Sequence, residues 1–266
     1  PTVNDKYPHG VTVDFEDEPG AVDGYTFEGW HIHDTDIGTT EDNFTMPSRD
    51  VVVYGRFSPN TDTPYTVEHY LENLVAEGED VTYGDGEGGT EPARTEEFAG
   101  TTYTLATATP VPFTGFTFDE TIEGTVRTEL ITGNGELTLK LYYKRNEYTV
   151  YYDIDGVTPD GVAEPDDVKV KFGDLYTVED ALSADGYDFN GWYHSSDPNY
   201  ANISGEEFTM PDRDVYIAGH FTERSDTAYT VLHYLQKLNE DGTAVAGTNK
   251  ETDYLNTVIG KEKLSE

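Results

Sequence analysis

The chain has 266 residues, with 16 Lys and Arg against 53 Asp and Glu, giving a formal net charge of −37. Hydrophobic residues make up 35%, below the roughly 45–50% of ordinary soluble domains, which argues against one large core and for two to four small domains. Aromatics at 13% exclude full disorder, and so negative a surface repels phosphate backbones and anionic headgroups, so no nucleic-acid or membrane-surface partner is expected.

Cysteine is absent, so disulfides, zinc-thiolate sites and thiol catalysis are excluded. No apolar run approaches the roughly 18 residues of a membrane span, and no signal peptide is visible. The chain starts at Pro1 rather than Met and reads as a piece of something longer.

In chain order, Val11 to Phe15 predicts the first strand, in line with Val168 to Phe172 of a later copy. The acidic run Asp14, Glu16, Asp17, Glu18 reads as a solvated face. Gly24-Tyr25-Thr26-Phe27-Glu28-Gly29-Trp30 predicts the next strand, with Trp30 as core anchor. His31 and His33 alternate along it and share a face, a spacing compatible with metal. The later copy has Tyr193 and Ser195 there, so no metal site is expected. Phe44-Thr45-Met46-Pro47 then predicts a closing turn with Met46 as gap filler.

From 62 to 145 the sequence changes character, with strands expected near 65–74, 113–119, 122–129 and 136–143. His69, and His233 in the later copy, share strand faces with Val67 and Val231, which favours a structural role. The loop Gly84 to Gly89 looks too polar for a core. With no Lys-Ser/Thr after it, it is no phosphate cradle.

The next stretch opens with a strand, Tyr148 to Ile154. A turn-rich segment from Asp155 to Pro165 leads to a second strand at Val168 to Phe172. Thr177-Val178-Glu179-Asp180 reads as a capping box, starting a short helix that turns Ala181 and Leu182 inward and ends before Gly186. Tyr187 to Tyr193 and Asp214 to Phe221 complete a small sheet. Asp153, Asp155 and Asp160 are the calcium candidates. A calcium loop needs Gly at its sixth position, where this one has Thr158, so they are read as a turn and no cofactor is expected.

Three blocks recur in order. Gly24 to Trp30 returns as Gly186-Tyr187-Asp188-Phe189-Asn190-Gly191-Trp192, a spacing of 162. Phe44 to Pro47 returns as Phe208-Thr209-Met210-Pro211, and Tyr65-Thr66-Val67-Glu68-His69-Tyr70-Leu71 as Tyr229 to Leu235, both at 164. This is a tandem repeat whose period holds two unlike modules. The expected boundaries are 1–61, 62–145, 146–224 and 225–266, with both end modules truncated. The first copy has eight residues between Phe15 and Gly24 against thirteen between Phe172 and Gly186, so a reduced helix is expected there.

The modules at 1–61 and 146–224, with Gly-Tyr-x-Phe-x-Gly-Trp and Phe-Thr-Met-Pro, resemble the internalin-type B-repeats (Listeria-Bacteroides repeats) of bacterial surface proteins. The other type, with Tyr-Thr-Val-Glu-His-Tyr-Leu near its start and Leu139-Lys140-Leu141-Tyr142-Tyr143-Lys144-Arg145-Asn146 at its end, resembles mucin-binding-protein (MucBP) repeats. The resemblance implies an α+β, β-dominated fold: small ubiquitin-like β-grasp modules in an elongated array on the cell wall of Gram-positive bacteria. It implies no catalytic residue, and no Ser/His/Asp order, Walker loop or Rossmann glycine pattern suggests an enzyme. The expected function is the stalk of an extracellular adhesin, with host glycans, mucin or another surface protein as partners. The alternative is glycan binding through exposed Tyr of the MucBP-like units.

Overall fold

The computed structural model describes residues 5–76, 78–234, 240–243 and 254–260. The chain divides into two compact units, Pro1–Asn146 and Glu147–Glu266. The first opens with β1 (Thr12–Asp14), β2 (Tyr25–Ile32), β3 (Asn43–Thr45) and β4 (Val53–Pro59). It continues with β5 (Thr63–Glu72), β6 (Tyr83–Gly84), β7 (Arg94–Gly100), β8 (Leu105–Thr107), β9 (Phe116–Phe118), β10 (Thr128–Leu130) and β11 (Thr138–Arg145). The second unit has β12 (Glu147–Asp155), β13 (Val168–Lys171), β14 (Leu175–Thr177), β15 (Tyr187–His194), β16 (Glu207–Thr209) and β17 (Val215–Glu223). After them come β18 (Tyr229–Tyr234) and β19 (Tyr254–Gly260), paired antiparallel.

The module 147–223 sets the pattern. Its sheet runs β13-β12-β17-β15, with β12 and β17 parallel at the centre and antiparallel strands outside. A separate two-stranded piece, β14 with β16, pairs Tyr176 with Phe208. Burial alternates along β12, where Val150, Tyr152 and Ile154 face the core, as expected of a strand with one wet face.

The segment 63–145 repeats this pattern under a different sequence. Its sheet has β7 and β6 beside β5, then β11 parallel to β5, then β9 antiparallel to β11. Its separate two-stranded piece is β8 with β10. Backbone bonds coincide too. Phe116 N–H donates to Phe113 O at 3.1 Å, as Tyr187 does to Ala184 at 3.2 Å. Asn146 N–H returns to Gly115 O at 2.9 Å, as Arg224 does to Gly186 at 2.8 Å. The bonds of Gly173 and Asp174 with Met210 are made here by Tyr103 and Thr104 with Ile131. Tyr103 accordingly holds a φ of 60° in the place of Gly173, at 82°. The two modules, unlike in sequence, are one topology.

The first segment contains the last four strands of the same pattern, which corrects the alignment expected from sequence. The expected strand at Val11 to Phe15 does form, as β1, but it pairs Val13 with Phe44 in β3, as β14 pairs Tyr176 with Phe208. Gly10 donates to Met46 O as Gly173 does to Met210 O. Val13 therefore corresponds to Tyr176, and Phe15 to Val178, not to strand β13. The uneven gap before the Gly-Tyr motif then shrinks to eight residues against seven.

The short helix is absent from 178–183, and the described residues contain no helix, so the α+β and β-grasp reading is corrected to an all-β one. Its backbone groups are bonded elsewhere. Glu179 N–H donates to Tyr152 Oη at 3.0 Å, Val178 N–H to Glu206 O at 2.9 Å, and Gly205 N–H to Val178 O at 3.1 Å. The Thr177 hydroxyl donates to Glu207 at 3.3 Å instead of capping a helix. Tertiary bonds outweigh a capping box with one turn behind it.

The Gly84 to Gly89 loop is also better anchored than expected, with Gly84 and Gly86 buried. Asp85 Oδ1 accepts from the N–H groups of Glu87, Gly88 and Gly89, and Asn73 Oδ1 from those of Gly86 and Gly88.

Within the first unit the two modules meet closely. Thr102 N–H donates to Asn60 O at 2.9 Å, and the Tyr25 and Tyr103 rings lie 6.0 Å apart. A Cβ on Gly133 would stand 2.1 Å from the carbonyl oxygen of Asp23. Gly133→Ala is therefore expected to destabilise the first unit by about 1–3 kcal/mol. Urea unfolding followed by hydrogen exchange checks this; an unchanged midpoint would mean that the contact is not made.

Candidate functional site

The repeated Gly-Tyr-x-Phe-x-Gly-Trp block builds a core. Gly24 and Gly186 take φ of 76° and 82° in the turns that start β2 and β15, where a side chain is strained. Gly29 and Gly191, also at positive φ, lie at bulges that turn the following Trp inward. Trp192 is 0% exposed, edge-on to Tyr152 at 4.9 Å and Phe189 at 5.1 Å, and its Nε1 donates to Asp180 O at 3.1 Å. Trp30 likewise donates to Glu16 O, at 2.8 Å, and meets Phe27 at 5.5 Å, but stays half-exposed. Tyr25 and Tyr187 flank these cores, Met210 is buried beside Pro211, and Met46 and Pro47 are half-exposed. Sequence reasoning missed Gly55 and Gly219. They recur at spacing 164, and a Cβ on either would collide with the Phe ring of the motif, at 2.9 Å and 2.5 Å.

The segment 63–145 holds a buried polar relay. Val111 N–H donates to Tyr143 Oη at 3.0 Å, which leaves the phenol proton for His69 Nδ1 at 2.9 Å. This geometry assigns the ring proton of His69 to Nε2, which donates to Glu96 at 3.1 Å. Arg94 bonds the other oxygen of Glu96. Tyr, His and Glu in a row are acid–base equipment, yet His69 and Tyr143 are sealed from solvent, so no substrate reaches them.

Burial pushes the His69 imidazole down, against the pull of Glu96. Arg94 first, and His69 second, hold the Glu96 carboxyl below its ordinary range. A depressed histidine binds protons more readily in the unfolded chain, so its contribution falls as pH drops below the ordinary value of about 6.5. The Glu96 contribution is lost only below about 4.3, the ordinary Glu value. Thermal unfolding between pH 7 and 5 is therefore expected to lose stability more steeply in the wild type than in His69→Ile, which copies Ile154 at the matching register. Parallel curves would contradict this.

The metal candidates do not converge. His31 faces Tyr54 at 5.8 Å, and His33 gives its backbone N–H to Val52 O. Asp153 and Asp155 point outward from β12, Asp160 lies on an exposed turn, and Glu164 accepts from Ile154 N–H at 2.9 Å. Among the described residues no three His, Asp or Glu side chains form a metal-holding group. Asp14, Glu16, Asp17 and Glu18 are all exposed. His233 lies on β18, and its side chain is outside the described residues.

Several aromatic rings reach solvent, among them Tyr103 at 62% and Tyr216 at 57% exposed. Tyr200, 59% exposed, meets Tyr193 edge-on at 4.9 Å and His220 at 6.4 Å, with Asn190 bonded to His220.

Residues 148–217 match the Listeria-Bacteroides repeat domain, and residues 2–61 match the divergent InlB B-repeat domain. Two separate stretches of the chain are thus similar to B-repeat domains. The two matched stretches are those that share the Trp motif, and the intervening 63–145 segment shares the strand order of the second. No helix among the described residues is long and apolar enough to cross a membrane.

Proposed function

We propose that the chain is the repeat region of a bacterial cell-surface adhesin, a stalk outside a Gram-positive cell wall. Its small modules hold a distal part away from the cell, and weak contacts along it add through effective concentration. The observation that carries this reading is the reuse of one strand order in both compact units, with B-repeats in each. In single-molecule pulling, 62–145 and 146–224 are expected to unfold in separate force peaks, each releasing about 28 nm of chain at roughly 3.5 Å per residue. One event releasing the whole chain would contradict a string of modules.

The same reading assigns no catalytic step and no calcium. Thermal unfolding in millimolar CaCl2 and in NaCl of equal ionic strength is expected to coincide within a degree or two. A calcium-selective upshift, removed by Asp153→Asn with Asp155→Asn, would reverse that assignment.

A second reading is binding of host glycans or mucin. The MucBP resemblance of 62–145, with Tyr103 62% exposed, supports it, as does the exposed Tyr200 ring beside His220 at 148–217. Aromatic faces beside an amide suit sugar rings. A mucin glycopeptide is expected to shift the ring signals of Tyr103 or Tyr200, and the matching Tyr→Ala variant to abolish the shift. No change at millimolar glycopeptide would remove this reading.

A further inference from the structure

The two modules that share a strand order differ in what fills the space between their connections. In 147–223 an open cleft of about 720 Å³ lies between the connection from β12 to β13 and the segment from β14 to β15. Pro159 is buried there, and Val162, Ala184 and Tyr187 pack against the core, so the cleft has an apolar wall. Asp160 and Asp185 also line it, as exposed carboxylates, and neither side chain makes a hydrogen bond or ion pair among the described residues. Both sides are held by turns. Val162 N–H donates to Pro159 O at 3.1 Å, and Tyr187 N–H to Ala184 O at 3.2 Å.

The sister module 63–145 shows which chemistry fits this place. Arg145 stands opposite Phe116 across β11 and β9, as Glu223 stands opposite Tyr187 across β17 and β15. The Arg145 guanidinium lies 5.0 Å from the Phe116 ring and donates to Gly86 O, in the connection that leads from β5 to β7. By strand order that connection matches the one from β12 to β13. A cation thus joins the loop to the ring from within the module. In 147–223 the same position holds Glu223, and the ring is Tyr187. What stands there is an aromatic ring, a turn and two carboxylates, with no guanidinium of the module's own.

We propose that this cleft binds an arginine side chain carried by a basic segment of a partner protein. The guanidinium stacks on Tyr187, a cation–π contact, and its planar N–H groups pair with Asp160 or Asp185. Charge complementarity selects this occupant, because a chain of net charge −37 draws basic segments towards it. Lysine fits less well, since its compact ammonium neither stacks as a plane nor pairs in two parallel bonds. The proposal rests on the correspondence of 63–145 with 147–223 and on neither the stalk nor the glycan reading, so they fail separately.

The test is an NMR titration of the isotope-labelled full chain with acetyl-Gly-Arg-Gly-amide, and with the same peptide carrying lysine or the neutral isostere citrulline. The arginine peptide is expected to shift the backbone amides of Asp160, Gly161, Asp185 and Tyr187. The lysine peptide is expected to bind severalfold more weakly, and the citrulline peptide to leave these signals in place. Asp160→Asn with Asp185→Asn should abolish the shifts while the Trp192 ring signals stay as they are. Glu223→Arg, which copies Arg145, should fill the cleft from within and exclude the peptide, whereas Glu223→Gln should keep most of the binding. No shift at millimolar peptide would overturn the proposal, as would equal binding of the lysine peptide, which marks attraction by net charge alone. Peptide binding untouched by Glu223→Arg would also overturn it. A chain that dimerises by itself and becomes monomeric with Asp160→Asn and Asp185→Asn would make a second copy the source of the arginine, which overturns it too.

Discussion

Trp192→Ala is expected to cost about 3–5 kcal/mol and to unfold 147–223 while 63–145 stays folded. The ring is 0% exposed, touches Tyr152 and Phe189 edge-on, and carries a hydrogen bond to Asp180 O. Its loss opens a cavity that the sheet cannot close, because Gly219 sits against the same rings without a Cβ. Trp30→Ala should cost less, about 1–2 kcal/mol, because that ring is only partly withdrawn from water. Urea unfolding read module by module through hydrogen exchange separates the two. Equal costs would mean that the first B-repeat core is as closed as the second.

The second large effect is expected at Arg145. It is 7% exposed; its backbone N–H donates to Glu72 Oε2 and its Nε to Glu72 O, both at 2.9 Å. Its guanidinium also bonds Gly86 O and lies 5.0 Å from the Phe116 ring. Glu72 is itself 4% exposed. Arg145→Leu takes the guanidinium donor from the buried carbonyls of Glu72 and Gly86, at about 1–3 kcal/mol for each group left unpaired. The double variant Glu72→Leu with Arg145→Leu should cost less than the two single changes summed, because both side chains hold the same buried joint between β5 and β11. A double variant as unstable as Arg145→Leu plus Glu72→Leu summed would show that the two side chains do not couple.

The strands β12, β15 and β17 are legible in the sequence because their apolar residues alternate and recur with the repeat. Strand β7 is not. Arg94-Thr95-Glu96-Glu97-Phe98-Ala99-Gly100 is charged and mostly exposed, and becomes a strand because β5 offers it an edge. The expected strand at 122–129 shrinks to β10 with one bridge from Val126 to Lys140. The capping box at Thr177 misled because local propensity is weak beside the bonds that 177–179 donate to Tyr152, Glu206 and Glu207.

Much of the common topology is carried by backbone bonds, which leave few marks in sequence. Met210 and Ile131 fill the same place, as do Gly173 and Tyr103, and no residue match joins them. The difference in burial between two copies of one motif, Trp30 and Trp192, is likewise unmarked in the motif itself.

The central claim is that 63–145 and 147–223 share one strand order although their sequences differ. Inter-strand amide and Hα contacts measured by NMR on the isotope-labelled full chain test it most directly. The account predicts parallel contacts between Val67 and Leu139 matching those between Tyr152 and Ile217, and antiparallel contacts between Ala106 and Glu129 matching those between Tyr176 and Phe208. Antiparallel contacts between β5 and β11, or helical contacts across 178–183, would contradict it.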